Sequence, residues 1–346
     1  MEVGITRIMQ AICPVCGRAR KGLTYICPEC GSPFVMEPDF KFQDGVEKNF
    51  PYVKHIVSLG EVQTPVVSLK EFALKLDYYQ PTFSYKDRGS RILISFLREN
   101  AGTGSIINED SSGNAGCSVS AYGQSAGFRV RIFVPERAMP VKLSQIKAYG
   151  AEIVRVQGGR SEVAESARKA DGIYAGHAYW PEFRDGIRTL AYEIFRQFDH
   201  IPDSIYIPLS AGTLYLGLTS GFEHLQRSGE IDSVPEIIAV QPEGNSPVCS
   251  AIDGIKREFH ETVADALITR KSPLLDILLE KIKKYGRCVY VSDSETISAH
   301  EDLSRKGILA EYSSAVALAG FRKKRIGSRP LIVLTGSGLK TLVTMS

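Results

Sequence analysis

Two short stretches carry side chains whose types and spacing allow chemistry. The first is Pro81-Thr82-Phe83-Ser84-Tyr85-Lys86-Asp87-Arg88-Gly89-Ser90. Ser84, Asp87 three residues on, and the apolar run Ile92, Leu93, Phe96 and Leu97 predict a helix opened by a capping box. Lys86 then lies in the first turn. There the positive end of the helix dipole and the adjacent cation Arg88 both disfavour an ammonium group. A lysine pushed toward its free amine is a nucleophile of the kind that forms Schiff bases. Taken alone, the ten residues also match an ordinary helix start with a solvated lysine. The second stretch is Glu109-Asp110-Ser111-Ser112-Gly113-Asn114-Ala115-Gly116. It follows a strand-like run, Ser105 to Asn108, and precedes a helix with small residues along one side.

A third set stands apart near the N-terminus. Cys13-Pro14-Val15-Cys16-Gly17 and Cys27-Pro28-Glu29-Cys30-Gly31 are two Cys-x-x-Cys-Gly knuckles. Four thiolates at this spacing match tetrahedral zinc, as a structural staple for a segment with little core of its own. Two disulfides or an iron site are the alternatives.

The elements that must position these groups alternate. Arg129 to Pro135, Glu152 to Val156 and Gly172 to Ala175 read as strands, and helices over Lys142 to Tyr149 and about Glu162 to Ala170 fall between them. A long helix spans Trp180 to Phe198. Ile205 to Leu209 is a buried strand running into Ser210-Ala211-Gly212-Thr213-Leu214 and a further helix. Ile237 to Gly244, Cys288 to Asp293 and Leu331 to Thr335 are later strands. Alternation at this spacing predicts parallel sheets covered by helices. The Ser210–Leu214 turn is a candidate anion cradle, because small residues let backbone amides approach and the following helix adds positive potential. Residues 32 to 60, with Pro33, Pro38 and Pro51, read as an extended arm.

Together, the Lys86 stretch and the Ser-Ser-Gly-Asn loop resemble the threonine synthase family of fold-type II pyridoxal-phosphate enzymes, over roughly residues 60 to 340. That family carries its lysine in Pro-Thr-x-Ser-Phe-Lys-Asp-Arg-Gly, and Tyr85 is the one change near it. Thr64-Pro65-Val66-Val67, Asp185 to Ile194 and Glu311 to Gly320 are similar to further family segments. The resemblance implies an α/β fold of two three-layer α/β/α domains with largely parallel sheets behind a zinc-ribbon-like segment. Residues 1–38 form that segment, 39–103 with 200–346 the large cofactor-binding domain, and 104–199 a smaller mobile domain. It implies that Lys86 holds pyridoxal 5'-phosphate and acts as base at the substrate Cα. Asn114 meets the cofactor's ring hydroxyl, and Ser210, Ala211, Gly212, Thr213 and Leu214 hold its phosphate. Thr335 meets the pyridine nitrogen, and Ser111, Ser112 and Ala115 hold the substrate carboxylate. Ser144 and Arg188, with Lys86, Ser111 and Ser112, are expected around a substrate phosphate.

The chain also departs from the family. Ser210 to Leu214 lacks the asparagines of the usual Gly-Asn-(Ala/Gly)-Gly-Asn, and Tyr312 and Ser313 differ from the usual Pro-Thr. The implied activity is conversion of O-phospho-L-homoserine and water to L-threonine and phosphate. β-Replacement or β-elimination on (phospho)serine or threonine is the alternative. A non-catalytic zinc-ribbon interaction protein is a second one, opposed by the intact Lys86, Asn114 and Thr335.

Composition bounds the rest. A net charge of +3 on 346 residues gives no reason to expect nucleic acid. No apolar run approaches the ~20 residues of a membrane span, and no signal pattern opens the chain. The expected protein is a cytoplasmic homodimer with zinc as a structural ion and a small amino acid as substrate. Seven cysteines without a secretion signal predict reduced thiols, and Cys117, Cys249 and Cys288 read as buried apolar groups.

Overall fold

A computed structural model describes residues 9–138 and 140–340. Its first regular elements are β1 (Val66–Ser68), β2 (Ala73–Leu76) and helix α1 (Lys86–Ala101). An alternating run follows: β3 (Ile106–Glu109), α2 (Asn114–Ser125), β4 (Arg129–Pro135), α3 (Pro140–Ala148), β5 (Glu152–Val156), α4 (Arg160–Lys169) and β6 (Ile173–Tyr174). Helix α5 (Pro181–Gln197) leads to β7 (Ser204–Pro208), α6 (Thr213–Ser228), β8 (Glu236–Pro242) and α7 (Pro247–Asp253). The chain closes with α8 (Leu275–Tyr285), β9 (Gly286–Val291), α9 (Asp293–Arg305), α10 (Tyr312–Lys323) and β10 (Pro330–Leu334).

The strands form two sheets. Four parallel strands, in order β5-β4-β3-β6, make the smaller one. Six strands, in order β1-β2-β10-β7-β8-β9, make the larger, parallel except for the β1–β2 pair. Every residue of β7 and β10 is buried, as expected where helices cover both faces of a parallel sheet. Phe183, Ile187, Leu190, Ala191 and Ile194 of α5 are buried in the main core, which α1 and α6 share.

A buried polar frame sits behind α1. Arg88 bonds the Asp77 carboxylate through Nε (3.0 Å) and Glu193 through Nη2 (2.8 Å). Lys75, fully buried, bonds Glu193, the Thr64 carbonyl and Gln197. Burial pushes the Glu193 carboxyl up, but Arg88 and Lys75 outweigh it and hold it at about 2. Arg88 is therefore a cation already matched by two carboxylates. The expectation that it presses on Lys86 as a second positive charge is corrected.

The capping box is also corrected. Ser84 Oγ accepts the Lys86 N–H (3.3 Å), and Asp87 turns back to accept the Thr82 N–H and hydroxyl, both at 2.6 Å. The first turn is thus tied to the segment before it, because Asp87 is buried and needs donors there. Burial raises its carboxyl to about 6.

Cys249 and Cys288, expected as buried apolar groups, form a disulfide joining α7 to β9. Packing of α7 beside β9 brings their Cα atoms to 5.4 Å across a separation of 39 residues, which no spacing rule reveals. Cys117 is buried and free as expected. Strand β2 and helices α7, α8 and α9 had no counterpart in the sequence reading. Residues 32–60 carry one short 3-10 turn, Glu47–Asn49, and otherwise no helix or strand.

The N-terminal segment holds itself by isolated bridges between Ile12 and Ala19, Ile12 and Val35, and Ile26 and Pro33. Met9, Phe34 and Met36 pack with Cys13 and Cys27. Arg20 forms a two-pronged pair with Glu182, and Arg184 bonds the Phe34 carbonyl. Both contacts fall on the first turn of α5.

Candidate active site

The candidate groups sit where strands end and helices begin, the place at which parallel α/β sheets bind ligands. Lys86 opens α1, Asn114 opens α2, Thr213 opens α6, Tyr312 opens α10, and Thr335 follows β10. The segment before Lys86 lies against the end of β10. Tyr85 N–H bonds the Thr335 carbonyl (3.0 Å), Ser337 N–H bonds the Phe83 carbonyl (3.1 Å), and Ser84 bridges to Gly336. Phe83, at φ +61, takes the left-handed backbone that non-glycine residues rarely adopt. This turn delivers Lys86 to the site.

Lys86 is half-buried. Its Nζ lies 4.8 Å from the Tyr85 ring centre and 5.8 Å from that of Phe183. The Tyr85 hydroxyl reaches 3.5 Å from Thr213 Oγ1, so the lysine turn and the Ser210–Leu214 turn are neighbours. That second turn has the shape of a cradle. Gly212 caps α6 at φ +97, and a Cβ there would fall 2.3 Å from Leu278 Cδ1, so only glycine fits. Ser210 Oγ pairs with Thr269 Oγ1 (2.7 Å), and Ser272 Oγ donates to the Ala211 carbonyl (2.7 Å). Leu214 is buried in the core, so only its backbone can serve the cradle.

The Ser111–Ala115 loop folds onto the first turn of α2, where a Cβ on Gly116 would lie 1.9 Å from the Ser111 carbonyl oxygen. Ser111 and Ser112 are partly exposed, and Ala115 is buried. The Asn114 amide nitrogen donates to both Glu311 oxygens (3.1 and 3.0 Å), and its carbonyl oxygen accepts from Lys340. Lys340 also donates to the Thr82 carbonyl (3.1 Å), joining three separate stretches of chain. Thr335 is buried, with Oγ1 3.1 Å from Ser314 Oγ. Ser314 in turn accepts the N–H groups of Thr335 (3.0 Å) and Gly336 (2.7 Å).

Two expectations about substrate phosphate need separating. Arg188 is fully buried and engaged by Asp185, Tyr192 and the Asn49 carbonyl, so it is corrected to a core residue. Ser144 is exposed on α3.

Sequence reasoning also passed over Glu109, His177, Glu311 and Lys340 as functional groups. Glu109 ends β3 fully buried, and His177 comes from the β6–α5 connection to bond it twice. A lone acid closing an apolar strand was the available signal for Glu109. His177 had none, since its partner lies 68 residues away.

In the N-terminal segment, the four cysteines converge. Cys13 and Cys30 sulfurs are 3.3 Å apart, Cys16 and Cys27 sulfurs 3.6 Å, and all four lie within 4.8 Å of one another. In each knuckle a glycine N–H, Gly17 or Gly31, bonds the carbonyl of the first cysteine.

A lysine at a helix start, a glycine-dependent anion cradle beside it and hydroxyls at a strand end describe a class of cofactor enzyme. The chain belongs to the family described as pyridoxal-phosphate dependent enzyme, whose model matches residues 57–338. The donor set fits that cofactor: an amine, a turn of small residues at the start of α6, and a buried threonine hydroxyl. Within the family it is a lyase similar to the threonine synthases. The Methanocaldococcus jannaschii threonine synthase is 28% identical over 312 residues, covering 82% of this chain and 76% of that one. The threonine synthase of Bacillus sp. (strain ULM1) is 30% identical over 305 residues, covering 82% and 85%. The fold is that of fold-type II enzymes. The structure of maize serine racemase superposes with a TM-score of 0.72 at 20% identity, covering 83% of this chain and 92% of that one.

Proposed function

We propose that this lyase is a threonine synthase, converting O-phospho-L-homoserine and water to L-threonine and phosphate. The observation that carries the reading is the contact of the lysine turn with both Thr213 and Thr335 through Tyr85, which gathers three positions remote in sequence. The threonine synthase relatives support the substrate. In this reading Lys86, Asn114, Thr335 and the backbone of Ser210 to Leu214 hold pyridoxal phosphate. When bound, that cofactor supplies an electron sink that lowers the cost of removing a proton from the substrate Cα. The Lys86 amine takes and returns that proton, and the Ser111–Ala115 loop orients the substrate carboxylate. The buried Ser314–Thr335 pair holds one hydroxyl in place. We assign residues 39–103 with 200–346 to the large domain and 104–199 to the mobile one, and a structural zinc to Cys13, Cys16, Cys27 and Cys30.

A second reading is β-replacement or β-elimination on (phospho)serine or threonine, and one observation favours its unphosphorylated substrates. Arg188, expected at the substrate phosphate, is spent on Asp185 in the core. The test is phosphate release measured together with threonine formation, with O-phosphoserine, serine and threonine in parallel. Turnover of O-phosphoserine or threonine, with none of phosphohomoserine, would move the assignment to the second reading.

A further inference from the structure

Glu109 is a carboxyl group with no access to water. Such a group must be paired or neutral. Its only hydrogen-bond partner among the described residues is His177, whose backbone N–H meets Oε2 (3.1 Å) while Nδ1 meets Oε1 (2.9 Å). Both oxygens are thereby spent on one residue. The His177 side chain keeps 20% of its surface exposed, and Nε2 has no hydrogen-bond partner among the described residues. The imidazole is thus anchored on one nitrogen and presented on the other, the arrangement by which a carboxyl orients a catalytic histidine.

The pair and the lysine share a neighbour, the Phe183 ring. The His177 ring packs edge-on to Phe183 (5.6 Å between centres), the same ring that lies 5.8 Å from Lys86 Nζ. The charged and titratable groups around it are Lys86 of α1, Asp110 after β3 and Arg160 of α4, with Asp110 accepting the Tyr174 hydroxyl (2.8 Å). Burial raises the Glu109 carboxyl, although Lys86 opposes this. Burial, and then the Lys86 charge, lowers His177. Both directions favour a pair of neutral groups. With the Glu109 proton donated to Nδ1, the imidazole proton must sit on Nε2.

We propose that His177, oriented by Glu109, is the acid–base group for the oxygen that leaves or joins the substrate's C3. The compound that reacts at this group, as substrate or as product, is therefore a 2-amino acid with oxygen at C3. The proposal rests on the reading of Lys86 as the group that moves the Cα proton. In elimination the Cα–H electron pair becomes the Cα–C3 double bond, and Lys86 keeps that proton. The C3–O bond breaks with its electrons on oxygen, which takes the Nε2 proton and departs as water. The Glu109 proton moves to Nδ1, leaving a carboxylate beside a neutral imidazole. Water addition runs the other way: Nε2 takes a proton from water as the O–C3 bond forms, and Nδ1 returns its proton to Glu109. No oxidant or reductant is needed.

The test uses the holoenzyme with L-threonine, which has oxygen at C3, in deuterated and 18O-labelled water. Wild type should exchange both the Cα proton and the C3 oxygen. His177→Gln and Glu109→Gln should keep Cα exchange within a few-fold while C3 oxygen exchange falls roughly hundredfold or more, the usual worth of an acid–base group. Wild-type exchange at Cα without exchange at C3 overturns this proposal and leaves the Lys86 reading intact. Exchange at neither position overturns both. Equal loss of the two exchanges in the variants reduces the pair to a structural role and also overturns it. A second measurement needs no cofactor. In 15N spectra of the ligand-free protein, His177 should carry its proton on Nε2 and not titrate between pH 5 and 8. An Nδ1–H tautomer, or ordinary titration in wild type, refutes the arrangement.

Discussion

Arg88→Met removes the cation at the centre of the buried frame behind α1. The residue lies two positions from Lys86, and a motif reading makes it a candidate for the chemistry. The structure makes it a support. Arg88 is 6% exposed and Asp77 is fully buried. After the substitution Lys75 still serves Glu193, but the Asp77 carboxylate keeps only one hydrogen-bond partner among the described residues, the Thr64 hydroxyl (3.1 Å). Stranding one member of a buried pair costs about 3–5 kcal/mol. An unfolding entropy of roughly 2.1 cal/mol/K per residue gives about 0.7 kcal/mol/K for this chain, so the melting temperature should fall by about 4–7 °C. Calorimetry of the ligand-free protein measures that shift, and titration with pyridoxal phosphate measures the site separately. Cofactor affinity at 25 °C should stay within a few-fold, and adding Asp77→Asn should recover part of the lost stability. A variant that melts like wild type yet no longer binds cofactor would refute the reasoning and return Arg88 to the site. Acid sensitivity offers a second readout. Glu193 is held at about 2, below its ordinary 4.5, so its contribution is complete above pH 4.5 and fades as pH falls toward 2. Without Arg88 the folded value rises, and that contribution should shrink across the whole range.

Lys86→Ala should abolish covalent fixation of the cofactor by borohydride, read by mass spectrometry. A stable adduct in that variant would assign the lysine elsewhere. Cys13→Ser combined with Cys30→Ser should remove about one equivalent of zinc by elemental analysis and loosen the segment that Arg20 and Arg184 tie to α5. Cofactor absorbance should persist, because none of the cysteines touches the lysine site. Metal-free protein purified without chelators would refute the site.

The parallel strands were legible because they are short, rich in β-branched and aromatic residues, and separated by glycine or proline. Arg129–Pro135 and Glu152–Val156 coincide with β4 and β5 to the residue. The cysteine quartet was legible for a different reason: its ligand spacing is local, and each knuckle closes on itself. Lys86, Asn114 and the Ser210–Leu214 turn were likewise marked by local motifs, where backbone and side chain act within a few residues. Strand β2 escaped notice because its Lys75 and the following Asp77 are polar. Their burial makes sense only once Glu193 and Arg88 are brought beside them.

What tertiary structure alone decided is partnership. The sequence presents Arg88 and Arg188 as cations near the chemistry. Packing spends one on Asp77 and Glu193 and the other on Asp185, and a spent charge cannot act on Lys86 or on a substrate phosphate. The Cys249–Cys288 bond, the Lys340 link from Thr82 to Asn114 and the Glu109–His177 pair join residues 39 to 258 positions apart. Local spacing records which side chains a short element presents on each face. It carries no information about what a second, distant element will press against that face, and the protonation and reach of each group depend on that contact.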